Sequence, residues 1–256
     1  MKAVMLAAGM GRRLYGEEHR EPAKCLLRFA GRTLMARNVE ILQSLGVAGL
    51  AIVVGYQKEE VLAEARLAAQ GDDYVEAIFN PRFMEGPILS LAAAGGAMRC
   101  GDDVLFMDAD LLYHPSFLKS LLDSSPRNCF LFDNHVDHEV DPVFLCVRGG
   151  DVADFGKNIE GDFDAVGEWP GFLKMSPRIA ARVADAADAL VASGALEVPY
   201  EAAFQEVLAG EPPGTFGFED ISGEPWIEID FPEDLKRAAD TILPRIDEID
   251  GGGNRN

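Results

Sequence analysis

Cysteine, histidine and tryptophan are scarce in this 256-residue chain, at four, four and two residues. Cys25, Cys100, Cys129 and Cys146 form no C-x-x-C pair and have no histidine at zinc-like spacing. They therefore read as free thiols, which suits a reducing compartment and a cytoplasmic protein. Long apolar runs are also missing: no stretch reaches the roughly 18 residues of a membrane span. The run Ala3 to Met10 is too short for a secretory leader and breaks at Gly9-Met10-Gly11-Arg12-Arg13, so a buried first strand is expected there. Basic charge is in deficit, with 23 Lys+Arg against 43 Asp+Glu for a formal −20. That balance gives no long-range attraction to nucleic acid or to an anionic membrane, so neither is expected as a partner.

What is present is a full core composition, 48 % hydrophobic and 26 % charged. This excludes a disordered chain, a coiled coil and a disulfide-stapled miniprotein. The length fits one large α/β domain, expected over 1–245, with 246–256 and its Gly251-Gly252-Gly253 run as a flexible tail. The few cations are concentrated: residues 1–37 hold eight Lys or Arg and three acids, a local +5 that leaves −25 elsewhere. A basic pocket for a small polyanion inside an acidic protein has this distribution.

Strand and helix signals alternate through the first half. Ala3 to Ala7, Leu50 to Val54, Val75 to Phe79 and Asp103 to Met107 are short apolar runs, as strands covered on both faces would be. Between them, Thr33 precedes a helix stopped at Gly46, Gln57 to Ala69 reads as a second helix, and Ile88 to Met98 as a third interrupted by Gly95-Gly96. The βαβαβαβ order predicts a Rossmann-like, mainly parallel sheet flanked by helices, with ligands at the carboxyl ends of its strands. In the second half, strands are expected at Phe130 to Asp133, Val143 to Val147 and Trp226 to Asp230. Helices are expected from Ser176-Pro177, from Tyr200 to Leu208, and through Leu235, Ala239 and Ile242.

Three segments carry chemistry. Gly9-Met10-Gly11-Arg12-Arg13, directly after the first strand, lets the backbone turn and aim N–H groups at an anion, and Arg12, Arg13 and then Lys24 add charge. It is neither a dinucleotide fingerprint, since Leu14 stands where the third glycine belongs, nor a P-loop. At the end of the fourth strand, Asp108-Ala109-Asp110 places two carboxylates on one face, suited to Mg²⁺. Glu228-Ile229-Asp230 repeats that pattern near the end of the chain. Asp230 reads here as a metal ligand, as the cap of the helix beginning at Pro232-Glu233, or as both.

Together these segments resemble the bacterial nucleotidyltransferase family that includes choline-phosphate, phosphonate and inositol-phosphate cytidylyltransferases, related to sugar-1-phosphate nucleotidyltransferases. The likeness covers nearly the whole length: the Gly loop with Pro22-Ala23-Lys24, Ile52 to Tyr56, Asn80 to Leu91, Asp108-Ala109-Asp110, and Glu228 to Asp230 with Glu233-Asp234-Leu235. It implies the nucleotide-diphospho-sugar transferase (GT-A-like) architecture. It also implies that Leu6, Ala7, Ala8, Gly9, Gly11, Arg12, Arg13 and Lys24 surround a triphosphate, with Asp108 beside it and Gly55, Glu85, Gly86 and Ser90 around base and ribose. Asp110 and Asp230 would hold Mg²⁺, with Asp108 and Glu228 as further candidates, and Lys24, Arg13, Asp110 and Asp230 would be the catalytic set. Ser90 is also readable as the cap of the following helix.

On the acceptor side the resemblance implies Lys157 for the acceptor phosphate, with Arg148 and Lys174 as substitutes. Glu139, Asp141, Trp169 and Phe172 are candidates for the rest of the acceptor; Tyr200 and Trp226 are further rings that could enclose a cation. Choline-specific relatives hold the ammonium with an aromatic ring near position 140, where this chain has Val140. The expected activity is Mg²⁺-dependent transfer of CMP from CTP, or of another nucleotide from its triphosphate, to a small phosphorylated alcohol or a phosphonate, in a protein that could form a homodimer. Three alternatives stay open: a sugar-1-phosphate nucleotidyltransferase, an Asp-x-Asp glycosyltransferase, and a nucleotide-binding module without turnover.

Overall fold

The structure is a computed structural model, described over residues 1–16, 20–135 and 142–252. The chain runs β1 (Lys2–Ala7), α1 (Arg12–Tyr15), a 3₁₀ turn (Lys24–Leu26), β2 (Arg28–Phe29), β3 (Arg32–Thr33), α2 (Leu34–Ser44), β4 (Leu50–Val54), α3 (Lys58–Ala68), β5 (Val75–Phe79), α4 (Ile88–Ala93), α5 (Gly95–Met98), β6 (Val104–Asp108) and β7 (Leu111–Tyr113). It continues with α6 (Pro115–Asp123), β8 (Cys129–Phe132), β9 (Phe144–Arg148), β10 (Asp151–Gly156), β11 (Ala165–Glu168), β12 (Phe172–Met175), α7 (Pro177–Ala192), α8 (Glu201–Ala209), β13 (Gly217–Asp220), β14 (Trp226–Glu228), α9 (Pro232–Arg237), a π turn (Ala238–Ile242) and α10 (Leu243–Gly252).

Seven strands form the central sheet in the order β13-β8-β12-β6-β1-β4-β5. β6, β1, β4 and β5 are parallel, as the alternating helices and strands require, whereas β12 runs antiparallel to both β6 and β8. Alternation along the strands sorts the core into two layers. Val4, Val53, Val104 and Phe106 face the side covered by α4, α7 and α8; Met5, Ile52, Leu105 and Met107 face α2, α3 and α6. The helix ends follow from local chemistry. The Thr33 hydroxyl accepts from Ala36 N–H at 2.9 Å, and Gly46, at φ +76°, turns the chain out of α2. Ser176 likewise caps α7, with Pro177 in its first turn.

Outside the main sheet, β10-β9-β11 form an antiparallel layer, and β14 pairs with β7 in a separate ribbon. That ribbon matters most for position. Its register, Leu111 opposite Glu228, carries the end of the chain back to the turn after β6.

Three boundaries differ from expectation. The late strand stops at Glu228 and leaves Asp230 in the turn before α9. The third helix is divided at Ala94 into α4 and α5. The stretch expected as tail from residue 246 is helical through Gly252, because Ile242 and Ile246, one turn apart, pack with Leu112, Ile227 and Ile229; residues 253–256 lie outside the described ones. Among the described residues no helix is long and apolar enough to cross a membrane, and all four cysteines are free.

Candidate functional site

The Gly loop leaves the carboxyl end of β1 and is held by its own backbone. Gly11, at φ +74°, takes a left-handed turn that only glycine adopts without strain, and its carbonyl accepts from Leu14 and Tyr15 N–H. Lys24 reaches the same place from the 3₁₀ turn. That segment is fixed by Gln57, whose side-chain oxygen accepts from Ala23 N–H at 3.0 Å. Gln57 carried no motif signal in the sequence.

The carboxylates arrive from two strands. β6 ends at Asp108 and the chain turns through Ala109 to Asp110, whose carbonyl accepts from Ile229 N–H at 3.1 Å. This bond and the β7–β14 pairing set Asp110 beside Glu228 and Asp230, and one carboxylate oxygen from each of the three lies within 4.8 Å of the others. Lys24 Nζ donates to Asp110 Oδ2 at 3.0 Å and also to Asp230 Oδ1, while Arg13 holds Asp230 Oδ2 at 2.7 Å. Lys24, Asp230 and Asp110 side chains are 13 %, 14 % and 21 % exposed, against 48 % for Arg13.

The electrostatics follow from this crowding. Burial works against the Lys24 charge, but Asp110 and Asp230 outweigh it and hold the ammonium above its ordinary pKa. Glu228 is pushed well up by burial and then by Asp230 and Asp110. Cys25, next to Lys24, is pushed up to about 12 by burial and by Asp110, so its thiol stays protonated and unreactive.

Asp230 does not cap α9. That work falls to Asp234, whose carboxylate accepts from Asp230 N–H at 2.9 Å and Phe231 N–H at 2.7 Å. The Asp230 carboxylate is thereby left for Lys24 and Arg13. Asp234→Ala is expected to lower stability by about 1–2 kcal/mol through the lost cap, read from urea unfolding; an unchanged midpoint would refute this role.

Asp108 also departs from the expected arrangement. Alternation does not continue past the end of β6, so Asp108 and Asp110 do not act as a pair. Asp108 accepts from the Tyr200 hydroxyl and packs on Gly171, where an added Cβ would stand 2.5 Å from its Oδ2. Burial, then Asp110, raises the Asp108 pKa, and burial, then Asp108, raises that of Tyr200. The carboxylate cluster comprises Asp110, Glu228 and Asp230, without Asp108.

Two cavities meet at this cluster. One, of about 500 Å³, is lined by Leu6, Ala7, Ala8, Gly9, Gly11, Arg12, Lys24, Gly86, Ser90 and Asp110. The other, of about 650 Å³, is lined by Asp133, Lys157, Glu168, Trp169, Trp226 and Asp230. Arg13, Asp108, Tyr200, Glu201 and Glu228 line both. Asp110 and Lys24 thus face one cavity, Asp230 the other, and Glu228 both.

The remaining expected residues divide. Ser90 lies inside α4, accepting from Asn80 Nδ2 at 3.1 Å; Pro87 stands at the cap position instead. Glu85 is turned outward in an ion pair with Arg82 at 2.7 Å and does not line the first cavity, and Gly55 lies behind that cavity's wall under Phe83 and the Ala8 carbonyl. Phe172 is fully buried against Tyr113 and Phe117, because β12 presents it to the core rather than to the cavity. Trp169 lines the second cavity while its indole N–H is spent on the Phe172 carbonyl at 2.7 Å. Lys174 is buried on Ser124, and Arg148 lies over Phe163, so neither substitutes for Lys157. Glu139 and Asp141 fall outside the described residues. Asp133, by contrast, was not anticipated. It is buried in the second cavity, where Oδ2 accepts from Trp226 Nε1 at 2.8 Å.

The sequence profile of the MobA-like NTP transferase domain matches residues 3–157. A bifunctional IPC transferase and DIPP synthase of Rubrobacter xylanophilus is 30 % identical over 247 residues, which are 94 % of this chain and 52 % of the relative. A CMP-5'-(3-aminopropyl)phosphonate synthase of Streptomyces rubellomurinus is 28 % identical over 250 residues, 93 % of this chain and 38 % of the relative. The chain therefore spans about half, or less, of the curated relatives it matches. In fold, the inositol-1-phosphate CTP transferase from T. maritima superposes with a TM-score of 0.74 at 18 % identity, covering 97 % of this chain and 95 % of that one.

Proposed function

The chain belongs to the MobA-like NTP transferase domain family, and from that premise we propose that it transfers CMP from CTP to a small phosphorylated alcohol or a phosphonate, releasing pyrophosphate. One observation carries this reading: the Asp110, Glu228 and Asp230 carboxylates, with Lys24 and Arg13, stand at the junction of two cavities. Donor and acceptor phosphates would meet there. The choice of CTP rests on the relatives, a CMP-5'-(3-aminopropyl)phosphonate synthase and an inositol-1-phosphate CTP transferase.

An oxygen of the acceptor phosphate or phosphonate attacks the α-phosphorus. A new P–O bond forms there as the bond to the β-phosphate oxygen breaks, and pyrophosphate leaves with that electron pair. The attacking oxygen is already anionic, so no general base is required. The protonated Cys25 thiol offers no covalent route. Catalysis is therefore positioning and charge neutralisation: the Gly9 to Arg13 loop and Lys24 hold the triphosphate, and Lys157 holds the acceptor phosphate.

The cluster fits Mg²⁺, since three separate carboxylates offer hard oxygen donors within 4.8 Å of one another. Asp110, Asp230 and Glu228 would hold the ion, which when bound supplies positive charge to the reacting phosphates. In the second cavity, buried Asp133 and Glu168 beside Trp226 and Trp169 suit an ammonium-bearing acceptor of the phosphocholine or 2-aminoethylphosphonate class. The same carboxylates accept hydrogen bonds from a polyol, which makes inositol phosphate or a hexose 1-phosphate the second reading.

The test is a matrix of four nucleoside triphosphates against phosphocholine, 2-aminoethylphosphonate, inositol phosphate, glycerol phosphate and hexose 1-phosphates with Mg²⁺, followed by pyrophosphate release. CTP with an ammonium-bearing acceptor should give the highest kcat/KM. Release only with hexose 1-phosphates would establish the sugar nucleotidyltransferase. CTP binding without release for any acceptor would leave a binding module.

A further inference from the structure

The carboxylate oxygens that suit a divalent ion are already held by the protein's own cations. Lys24 bridges Asp110 Oδ2 and Asp230 Oδ1, and Arg13 takes Asp230 Oδ2. An ion entering the cluster has to displace the ammonium from oxygens it would use, and meets a positive charge in direct contact with them. Without any cation, the Asp110 and Asp230 carboxylates would repel each other across less than 4.8 Å in a mostly buried site. The Lys24 ammonium removes that repulsion.

Lys24 also lines the cavity formed by Gly9, Gly11 and Arg12, and its flexible four-carbon stem can move the ammonium between partners while the backbone stays in place. We propose that Lys24 is the resident cation of the carboxylate cluster, and that divalent ion and nucleoside triphosphate bind as a coupled pair, the polyphosphate drawing Lys24 and Arg13 off Asp110 and Asp230 as the ion takes their place. This rests on the reading of the cluster as the metal site and of the adjoining cavity as the triphosphate site. Coupling of this kind is reciprocal: each ligand strengthens the other by the same factor. Arg13 is half exposed and pairs with Asp230, whereas Lys24 holds both Asp110 and Asp230, so the share of Arg13 in the competition is smaller than that of Lys24.

The experiment titrates the whole chain with Mn²⁺ and counts free ion by electron paramagnetic resonance, with and without a non-hydrolysable CTP analogue. For the unaltered chain, the analogue should tighten Mn²⁺ binding at least tenfold. Lys24→Met should bind Mn²⁺ alone at least tenfold more tightly than the parent and gain less from the analogue. Arg13→Ala should shift in the same direction by less. Lys24→Gln, which keeps a hydrogen-bond donor without the charge, serves if Lys24→Met does not fold. Equal or weaker Mn²⁺ binding in a folded Lys24 variant would overturn the proposal, as would tight binding that persists in Lys24→Met/Asp110→Asn. The titration needs no acceptor and no turnover, so its result is separate from the acceptor matrix. Tightened Mn²⁺ binding in the variant, together with no pyrophosphate from any acceptor in the unaltered chain, would support the role of Lys24 while refuting the transferase reading.

Discussion

Lys24→Ala will lower kcat for pyrophosphate release by about 100- to 1,000-fold, the equivalent of about 2.7–4 kcal/mol, the effect of deleting one preorganised donor from a charged transition state. Negative charge grows on the departing pyrophosphate as the α–β bridge breaks, and an ammonium in a mostly buried site stabilises that charge far more than one in water. Arg12 is exposed and Arg13 half exposed, so neither reproduces the buried charge of Lys24. The loss should fall on kcat more than on the KM for CTP, because the Gly loop still binds the triphosphate. Lys24→Ala also leaves Asp110 and Asp230 without their shared cation, so the variant should melt at a lower temperature. Mg²⁺ should restore much of that stability and little of the turnover. Turnover within threefold of the parent would remove Lys24 from the mechanism.

The parts of this site that were legible in the sequence are those fixed by local backbone chemistry. A Gly-x-Gly turn after a buried strand, two arginines and a lysine can be read in order, and the parallel order of β1, β4, β5 and β6 follows from their alternation with helices. Asp108 and Asp110 show where that reading fails. Alternation applies within a strand, and the strand ends between them, so one carboxylate goes to Tyr200 and the other to the cluster. Asp230 was ambiguous because a cap and a ligand share the same residue types. The ambiguity ends with Asp234, three residues beyond Phe231, which has the spacing of a capping partner and was the available signal. The bond of Tyr200 to Asp108, and the roles of Asp133 and Gln57, were out of reach for a different reason. Their partners Asp108, Trp226 and Ala23 lie 92, 93 and 34 residues away, across elements whose approach no local pattern encodes. Phe172 was misplaced because a strand residue beside a cavity and one beneath it differ only in the parity of the register. Its pairing with Met107 turns it into the core.

Asp110→Asn will abolish metal-dependent turnover, whereas Asp108→Asn will reduce it and leave metal binding intact; the contrast separates a ligand from a wall. Asn keeps the shape of Asp and removes its charge. At position 110 that takes one of three hard donors from the cluster, and the backbone bond from Ile229 N–H to the Asp110 carbonyl, which holds the turn, is untouched. The fold should therefore persist, and Mn²⁺ should fail to bind with or without nucleotide. Asp108 has a different surrounding: its Oδ2 accepts from the Tyr200 hydroxyl, and the pair lines both cavities. An amide oxygen there can still accept that bond, so Tyr200 stays placed and Mn²⁺ affinity should remain within about threefold of the parent, a shift of less than about 0.7 kcal/mol. Normal activity in Asp110→Asn would exclude Asp110 as a necessary ligand. Loss of Mn²⁺ binding in Asp108→Asn equal to that in Asp110→Asn would return Asp108 to the cluster, and would mean that the Tyr200 bond breaks when the ion arrives.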